Sequence, residues 1–247
     1  MDKLYGIIGY PLEHSFSKTY FTQKFAEEGI LDCSYETFPI KTIDELKDVI
    51  NKNHNLSGFN ITIPHKQSIL SYLDDKTKLP GGLTACNCVK IVAKKIIGYN
   101  TDVVGFEQSL LPQLKNYHSN ALILGNGGAA EAVKFVLNKL GIAFKVVSRK
   151  LHDGSDLIYS DLNEAVIAEN LLIINTTPLG TFPNIDDCAD IPYHNLTAKH
   201  FLYDLVYNPA KTLFLQKGAA EGAAIKNGYD MLLIQAEESW RIWNATD

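Results

Sequence analysis

The chain has 247 residues, which is room for one large α/β domain or two modest ones, and its 46% hydrophobic and 21% charged content excludes a disordered polymer. Its formal charge of −5 comes without a long acidic or basic run, so a nucleic-acid groove and a polybasic membrane patch are both excluded. No apolar stretch approaches the ~18 residues that span a bilayer, and Leu4 to Tyr10 is too short for a signal-peptide core, so the expectation is a cytoplasmic protein with a small-molecule partner.

Leu4 to Gly9 reads as a buried strand, followed by a polar loop and a helix from about Ser17 to Glu28 with Tyr20, Phe21 and Phe25 on one stripe. Cys33 to Phe38 is a second strand. Thr42 and Glu45 have the spacing of a capping box and announce a helix. Phe59 to Ile63 is a third strand, and strands alternating with helices at such short intervals predict a mainly parallel sheet. Cys86 to Val92 and Lys95 to Tyr99 form a hairpin turning at Ala93-Lys94, and a helix then runs from about Asp102 to Leu114. The domain junction falls at that helix.

From Asn120 the alternation restarts: strand Ala121 to Leu124, helix Gly128 to Leu140, strand Phe144 to Ser148, helix Leu162 to Ala168, and strands Leu171 to Ile174 and Phe201 to Leu205. By its order this is a nucleotide-binding sheet. Tyr229 to Trp243 is an amphipathic helix whose apolar surface needs a partner, and it is expected to pack back onto the first domain. The domains are therefore 1–101 joined by the helix at 229–247, and 102–228. Cys33, Cys86, Cys88 and Cys188 lack zinc spacing, so no metal is expected; Cys86 and Cys88, two apart in a strand, should share one face.

Gly125-Asn126-Gly127-Gly128-Ala129 lies directly between a strand and a helix, the context a dinucleotide fingerprint requires. Gly125 allows the tight turn, Gly127 lets the backbone approach a pyrophosphate, and the helix start favours the anion. Roughly 20 residues on, where an NAD site wants an acid for the ribose, stands Ser148-Arg149-Lys150. An arginine fork suits a phosphate, so NADP is expected over NAD.

In Asn60-Ile61-Thr62-Ile63-Pro64-His65-Lys66, strand alternation sends Asn60 and Thr62 to one face at the carboxyl end of a strand. Lys66 then falls in what reads as the first turn of a helix, where the dipole disfavours an ammonium. Such a lysine near a carboxylate can trade a proton at neutral pH, and Asp102, at a helix start where it could equally act as an N-cap, is the candidate partner. Ser15 and Ser17 offer neutral hydroxyls to a carboxylate, though Ser17 alone could equally be a helix cap; His14 reads as structural.

These residues resemble the shikimate dehydrogenase family. The similarity is carried by Ile8 to Pro11 with His14 to Ser17, Asn60 to Lys66, Ala85-Cys86-Asn87, Asn100-Thr101-Asp102, Gly125 to Ala129, Asn175-Thr176-Thr177, Tyr203 to Tyr207, and Gly228 through Met231 to Gln235. The resemblance implies a substrate domain and a Rossmann-type dinucleotide-binding domain with a cleft between them. It also implies NADP-dependent interconversion of 3-dehydroshikimate and shikimate on the route to chorismate and the aromatic amino acids, in a monomer or homodimer. Lys66 and Asp102 would form the catalytic pair. Ser15 and Ser17 would hold the substrate carboxylate, and Asn60, Thr62, Asn87, Asp102, Tyr207 and Gln235 its ring hydroxyls. On the cofactor side, Gly125, Asn126, Gly127, Gly128 and Ala129 would hold the diphosphate, Ser148, Arg149 and Lys150 the adenosine phosphate, Asn175, Thr176 and Leu205 the ribose region, and Gly228 and Met231 the nicotinamide end. Cys88, Tyr10, Phe16, Val103 and Ser148 depart from the usual family pattern. Two other readings are a quinate/shikimate dehydrogenase using NAD or NADP, and a non-catalytic NADP-sensing module.

Overall fold

A computed structural model describes residues 2–13, 15–151 and 154–246, so His14 lies outside the described residues. The chain forms two compact units, Met1–Thr101 with Ala236–Asp247, and Asp102–Gln235. Among the described residues no helix is long and apolar enough to cross a membrane.

The first stretch contributes β1 (Lys3–Gly9), α1 (Phe16–Glu27), β2 (Cys33–Pro39), α2 (Leu46–Lys52), β3 (Leu56–Ile61), β4 (Cys88–Val92) and β5 (Lys95–Tyr99). They build one sheet of order β2-β1-β3-β4-β5, parallel across its first two pairings and antiparallel across its last two. Glu45 accepts from the Thr42 N–H at 2.8 Å, the capping contact its spacing foretold, and a 3₁₀ turn leads from there into α2. Ala93 and Lys94 turn the β4–β5 hairpin with φ of 48° and 66°, the double left-handed geometry of a tight two-residue turn.

The second stretch contributes α3 (Thr101–Leu110), β6 (Asn120–Leu124), α4 (Gly128–Lys139), β7 (Ala143–Ser148), β8 (Leu157–Ile158), α5 (Glu164–Glu169), β9 (Leu172–Asn175), β10 (Phe201–Asp204), α6 (Leu213–Ala220), β11 (Ala224–Lys226) and the start of α7 (Tyr229–Asn244). Its sheet, β11-β10-β9-β6-β7-β8, is parallel throughout. Counted from β6, this is the doubly wound order whose ligand crevice opens where the winding reverses, between β6 and β9. α3 stops at Leu110, short of the expected Leu114, because Pro112 can supply no N–H and a 3₁₀ turn takes over at 111–113.

Residues 229–235 of α7 fall in the second unit and those from 236 on in the first. Within the first unit Ala236, Ile242 and Trp243 join Tyr5, Ile7, Phe21, Phe25 and Tyr35 in a core on one face of the sheet. The Trp243 ring stacks on Tyr5 at 4.7 Å and its indole N–H donates to the Val89 carbonyl at 2.9 Å. Gly58 makes room for it, since a Cβ there would stand 2.4 Å from the indole nitrogen. The opposite face buries Leu4, Ile8, Phe59, Ile61 and Val89 beneath Leu46 and Ile69.

Two expectations are corrected here. The third strand ends at Ile61; the chain turns over Ile63-Pro64, and Ile63 is 72% exposed while Ile61 is buried. Cys86 precedes β4 and packs with Leu4 and Val89, whereas Cys88 packs with Tyr5 and Trp243, so the two thiols serve opposite faces.

Candidate active site

In the first unit the polar candidates gather where β1 and β3 end. Thr62 donates its backbone N–H to Ile8 O at 3.0 Å, and its methyl would stand 2.4 Å from a Cβ at Gly9, so a glycine is required to let these strand ends close. Behind them runs a buried chain of hydrogen bonds. Ser17 bonds to the Tyr35 hydroxyl, and Tyr35 donates to Asn60 Oδ1 at 2.9 Å. Asn60 Nδ2 in turn donates to Asn87 O at 3.3 Å and Ser239 Oγ at 2.9 Å. The Asn87 amide is clasped by Thr101, whose N–H donates to Asn87 Oδ1 at 2.6 Å while Asn87 Nδ2 donates to Thr101 Oγ1 at 3.0 Å. Burial holds the Tyr35 phenol well above its ordinary pKa, so it remains a donor. Asn60 and Asn87 are therefore fixed in orientation before any ligand arrives.

Ser15 occupies the N-cap position of α1 but makes no capping bond, and its hydroxyl is buried without a partner among the described residues. Ser17 lies one residue inside the helix, so neither serine caps it. An orphan hydroxyl costs about 1–3 kcal/mol when nothing bonds to it, and that cost is relieved by a polar ligand group.

Lys66 sits in a turn before the 3₁₀ helix Ser68–Tyr72 and not in a helical first turn, so the dipole argument for its chemistry does not hold. The turn is pinned instead by Cys86 N–H to Lys66 O at 2.8 Å and by the buried ring of His65, whose Nε2 meets Ile40 O at 2.9 Å. Asp102 is the second residue of α3, inside the first turn and buried, and is not the N-cap. Its carboxylate lies at the favourable end of that helix.

In the second unit Asp102, Tyr207 and Gln235 are the remaining substrate candidates. Tyr207 is half-buried, with its phenol pKa raised by desolvation. Gln235 is buried and donates to Leu232 O at 2.9 Å.

The cofactor candidates divide. A cavity of about 710 Å³ opens at the crevice between β6 and β9, lined by Gly125, Asn126 and Gly127, by Ser148, Arg149 and Lys150 after β7, by Thr176 to Leu179 after β9, and by Tyr159. Gly125 has φ of +101°, and a Cβ on it would stand 2.8 Å from Thr177 Cγ2 and 3.0 Å from Thr176 Oγ1. Gly127 and Gly128 face open space, and no side chain caps α4 at Gly127, so its first N–H groups are left for an anion. These features fit a dinucleotide: a cradle closed to side chains, a free helix start and two exposed cations.

Asn175 does not line the cavity. It is fully buried, donates to Asp204 Oδ1 at 2.9 Å and accepts from Thr177 N at 3.0 Å and Thr177 Oγ1 at 2.6 Å, so it supports the wall from behind. Leu205, Gly228 and Met231 also stand away from that lining. Gly228 lies so close to Leu205 that a Cβ would meet its carbonyl oxygen at 2.1 Å, which joins these two candidates at one place. Gly128 and Ala129 form the first turn of α4.

Sequence reasoning gave no role to Asp204 or Tyr159. Asp204 is completely buried and accepts from Asn175, Val206 N at 3.0 Å and Thr212 Oγ1 at 2.5 Å; burial raises its pKa to about 6. Its place at the end of a buried strand was the signal available. Tyr159 follows a two-residue strand that carries no periodicity to read.

A parallel sheet of this order with a glycine-lined cavity at its reversal point is that of a dinucleotide-binding α/β protein. The profile of the shikimate dehydrogenase substrate binding domain matches residues 7–89. A shikimate dehydrogenase (NADP(+)) of Methanococcus aeolicus is 39% identical, covering 98% of this chain and 91% of that protein. Among solved structures, shikimate 5-dehydrogenase from Listeria monocytogenes, in complex with shikimate and NAD, superposes with a TM-score of 0.86 at 28% identity over 99% of this chain and 92% of that one. The enzyme from Thermus thermophilus, in complex with NADP(H) and shikimate, gives 0.84 at 26% identity over 98% and 93%. The chain belongs to the shikimate dehydrogenase family.

Proposed function

We propose that this protein is a shikimate dehydrogenase, an oxidoreductase that reversibly reduces 3-dehydroshikimate to shikimate with NADPH on the route to chorismate. The observation that carries this reading is near-full-length kinship to NADP-dependent shikimate dehydrogenases in a chain whose cofactor cavity is walled by Arg149 and Lys150. Residues 1–101 with 229–247 serve mainly the substrate and 102–228 mainly the cofactor. The protein works in the cytoplasm as a monomer or homodimer.

Bound NADP(H) supplies the hydride equivalent. Gly125 to Ala129 cradle its diphosphate, Ser148, Arg149 and Lys150 its adenosine phosphate, Asn175, through the wall it supports, with Thr176 and Leu205 its ribose region, and Gly228 with Met231 its nicotinamide end. Ser15 and Ser17 donate to the substrate carboxylate, and the orphan hydroxyl of Ser15 suits that task. Asn60, Thr62, Asn87, Tyr207 and Gln235 orient the ring hydroxyls. Lys66 gives its proton to the carbonyl oxygen as that carbon is reduced and takes it back in the reverse direction, and Asp102 accepts from the hydroxyl so formed. Such proton transfer contributes about 10²–10⁴ in rate.

The test is to mix purified protein, NADP and shikimate and follow reduced-nicotinamide absorbance. Lys66→Ala should keep shikimate binding and lose about 10²–10⁴ of the turnover. A parent protein inert towards shikimate refutes the activity; a variant of near-parental rate refutes the role of Lys66.

A further inference from the structure

Four hydroxyl-bearing side chains among the described residues line the cofactor cavity: Ser148, Tyr159, Thr176 and Thr177. Three of them already donate to protein acceptors. Ser148 Oγ is turned onto Lys150 O, Thr176 Oγ1 donates to Leu124 O at 2.9 Å, and Thr177 Oγ1 donates to Asn175 Oδ1 at 2.6 Å. The fourth differs, since no hydrogen bond among the described residues engages the Tyr159 hydroxyl.

The Tyr159 ring is anchored. It packs against the core of the second unit, and its backbone opens a 3₁₀ turn in which Asp161 accepts from Ile158 N at 2.9 Å and Leu162 N donates to Tyr159 O at 3.2 Å. Arg149 and Asp190 are the charges that act on the phenol; burial, the larger influence, raises its pKa, so it stays protonated at neutral pH. A fixed ring, a protonated hydroxyl with no acceptor among the described residues and two cations lining the same cavity are the parts of a phosphate monoester site.

We propose that the Tyr159 hydroxyl donates a hydrogen bond to the 2′-phosphate of the adenosine ribose, which makes Tyr159, with Arg149 and Lys150, a determinant of NADP over NAD. This rests on the cofactor reading above. The test is calorimetric titration of adenosine 2′,5′-bisphosphate and of 5′-AMP, which differ only in the 2′-phosphate, into the parent and Tyr159→Phe. Phenylalanine keeps the ring and removes the donor. A hydrogen bond to a charged acceptor predicts about tenfold weaker bisphosphate binding in the variant, with 5′-AMP within about twofold. An unchanged ratio of the two affinities, or equal weakening of both ligands, overturns the assignment of Tyr159. A parent that does not prefer the bisphosphate overturns the cofactor reading and this inference with it.

Discussion

Gly125 and Gly127, two residues apart, should fail in different ways when each becomes alanine. At Gly125 the backbone holds φ of +101°, and the new Cβ would stand 2.8 Å from Thr177 Cγ2 and 3.0 Å from Thr176 Oγ1. The left-handed backbone costs a side chain about 1–2 kcal/mol and the overlap about 1–3 more, so the second unit should lose about 2–5 kcal/mol. That corresponds to a fall in Tm of roughly 5–15 °C. At Gly127 φ is −91° and nothing lies within 4 Å of a Cβ, so Tm should move by less than about 3 °C. The methyl of Gly127→Ala instead occupies the approach of the diphosphate, and NADP should bind more than about tenfold more weakly. Thermal melts with and without NADP, together with direct titration, separate the two effects. Unchanged NADP affinity in Gly127→Ala, or an unchanged melt in Gly125→Ala, would refute this account of the loop.

Asp204 provides a test in pH. Burial raises its pKa to about 6, above the ~3.9 of an unfolded chain, so its favourable contribution is complete below about pH 4 and is lost as pH rises through 6. The loss is about 3 kcal/mol, and Asp204→Asn should gain on the parent by that order between pH 4 and 6 in urea melts; a pH-independent difference contradicts the raised pKa. Trp243→Ala removes a buried indole stacked on Tyr5 and bonded to Val89 O, and should cost about 3–5 kcal/mol in urea unfolding; a loss below about 1 kcal/mol would show that this core repacks.

The parallel second sheet was legible because its short apolar runs alternate with helical segments and its glycine loop lies in the required strand-to-helix context. β8, with two residues, and β11, with three, were not, since so short an edge element holds no pattern. Lys66 was placed on a helix by a misread boundary: the strand ends at Ile61, ahead of Pro64, and the chain then makes turns, one of them pinned by the N–H of Cys86, twenty residues away. The alternation applied to Cys86 and Cys88 failed because Cys86 precedes the strand. Single residues with local reasons, such as Gly125, could be read directly; Asn175 and Asp204, whose work depends on partners brought by folding, could not.

The first unit draws its aromatic core from both sides of the second in sequence: Tyr5 and Phe21 before it, Trp240 and Trp243 after it. During synthesis the intervening unit emerges as one continuous stretch and can close first. The earlier-made sheet must wait, one apolar face only partly covered by α1, until those tryptophans leave the ribosome.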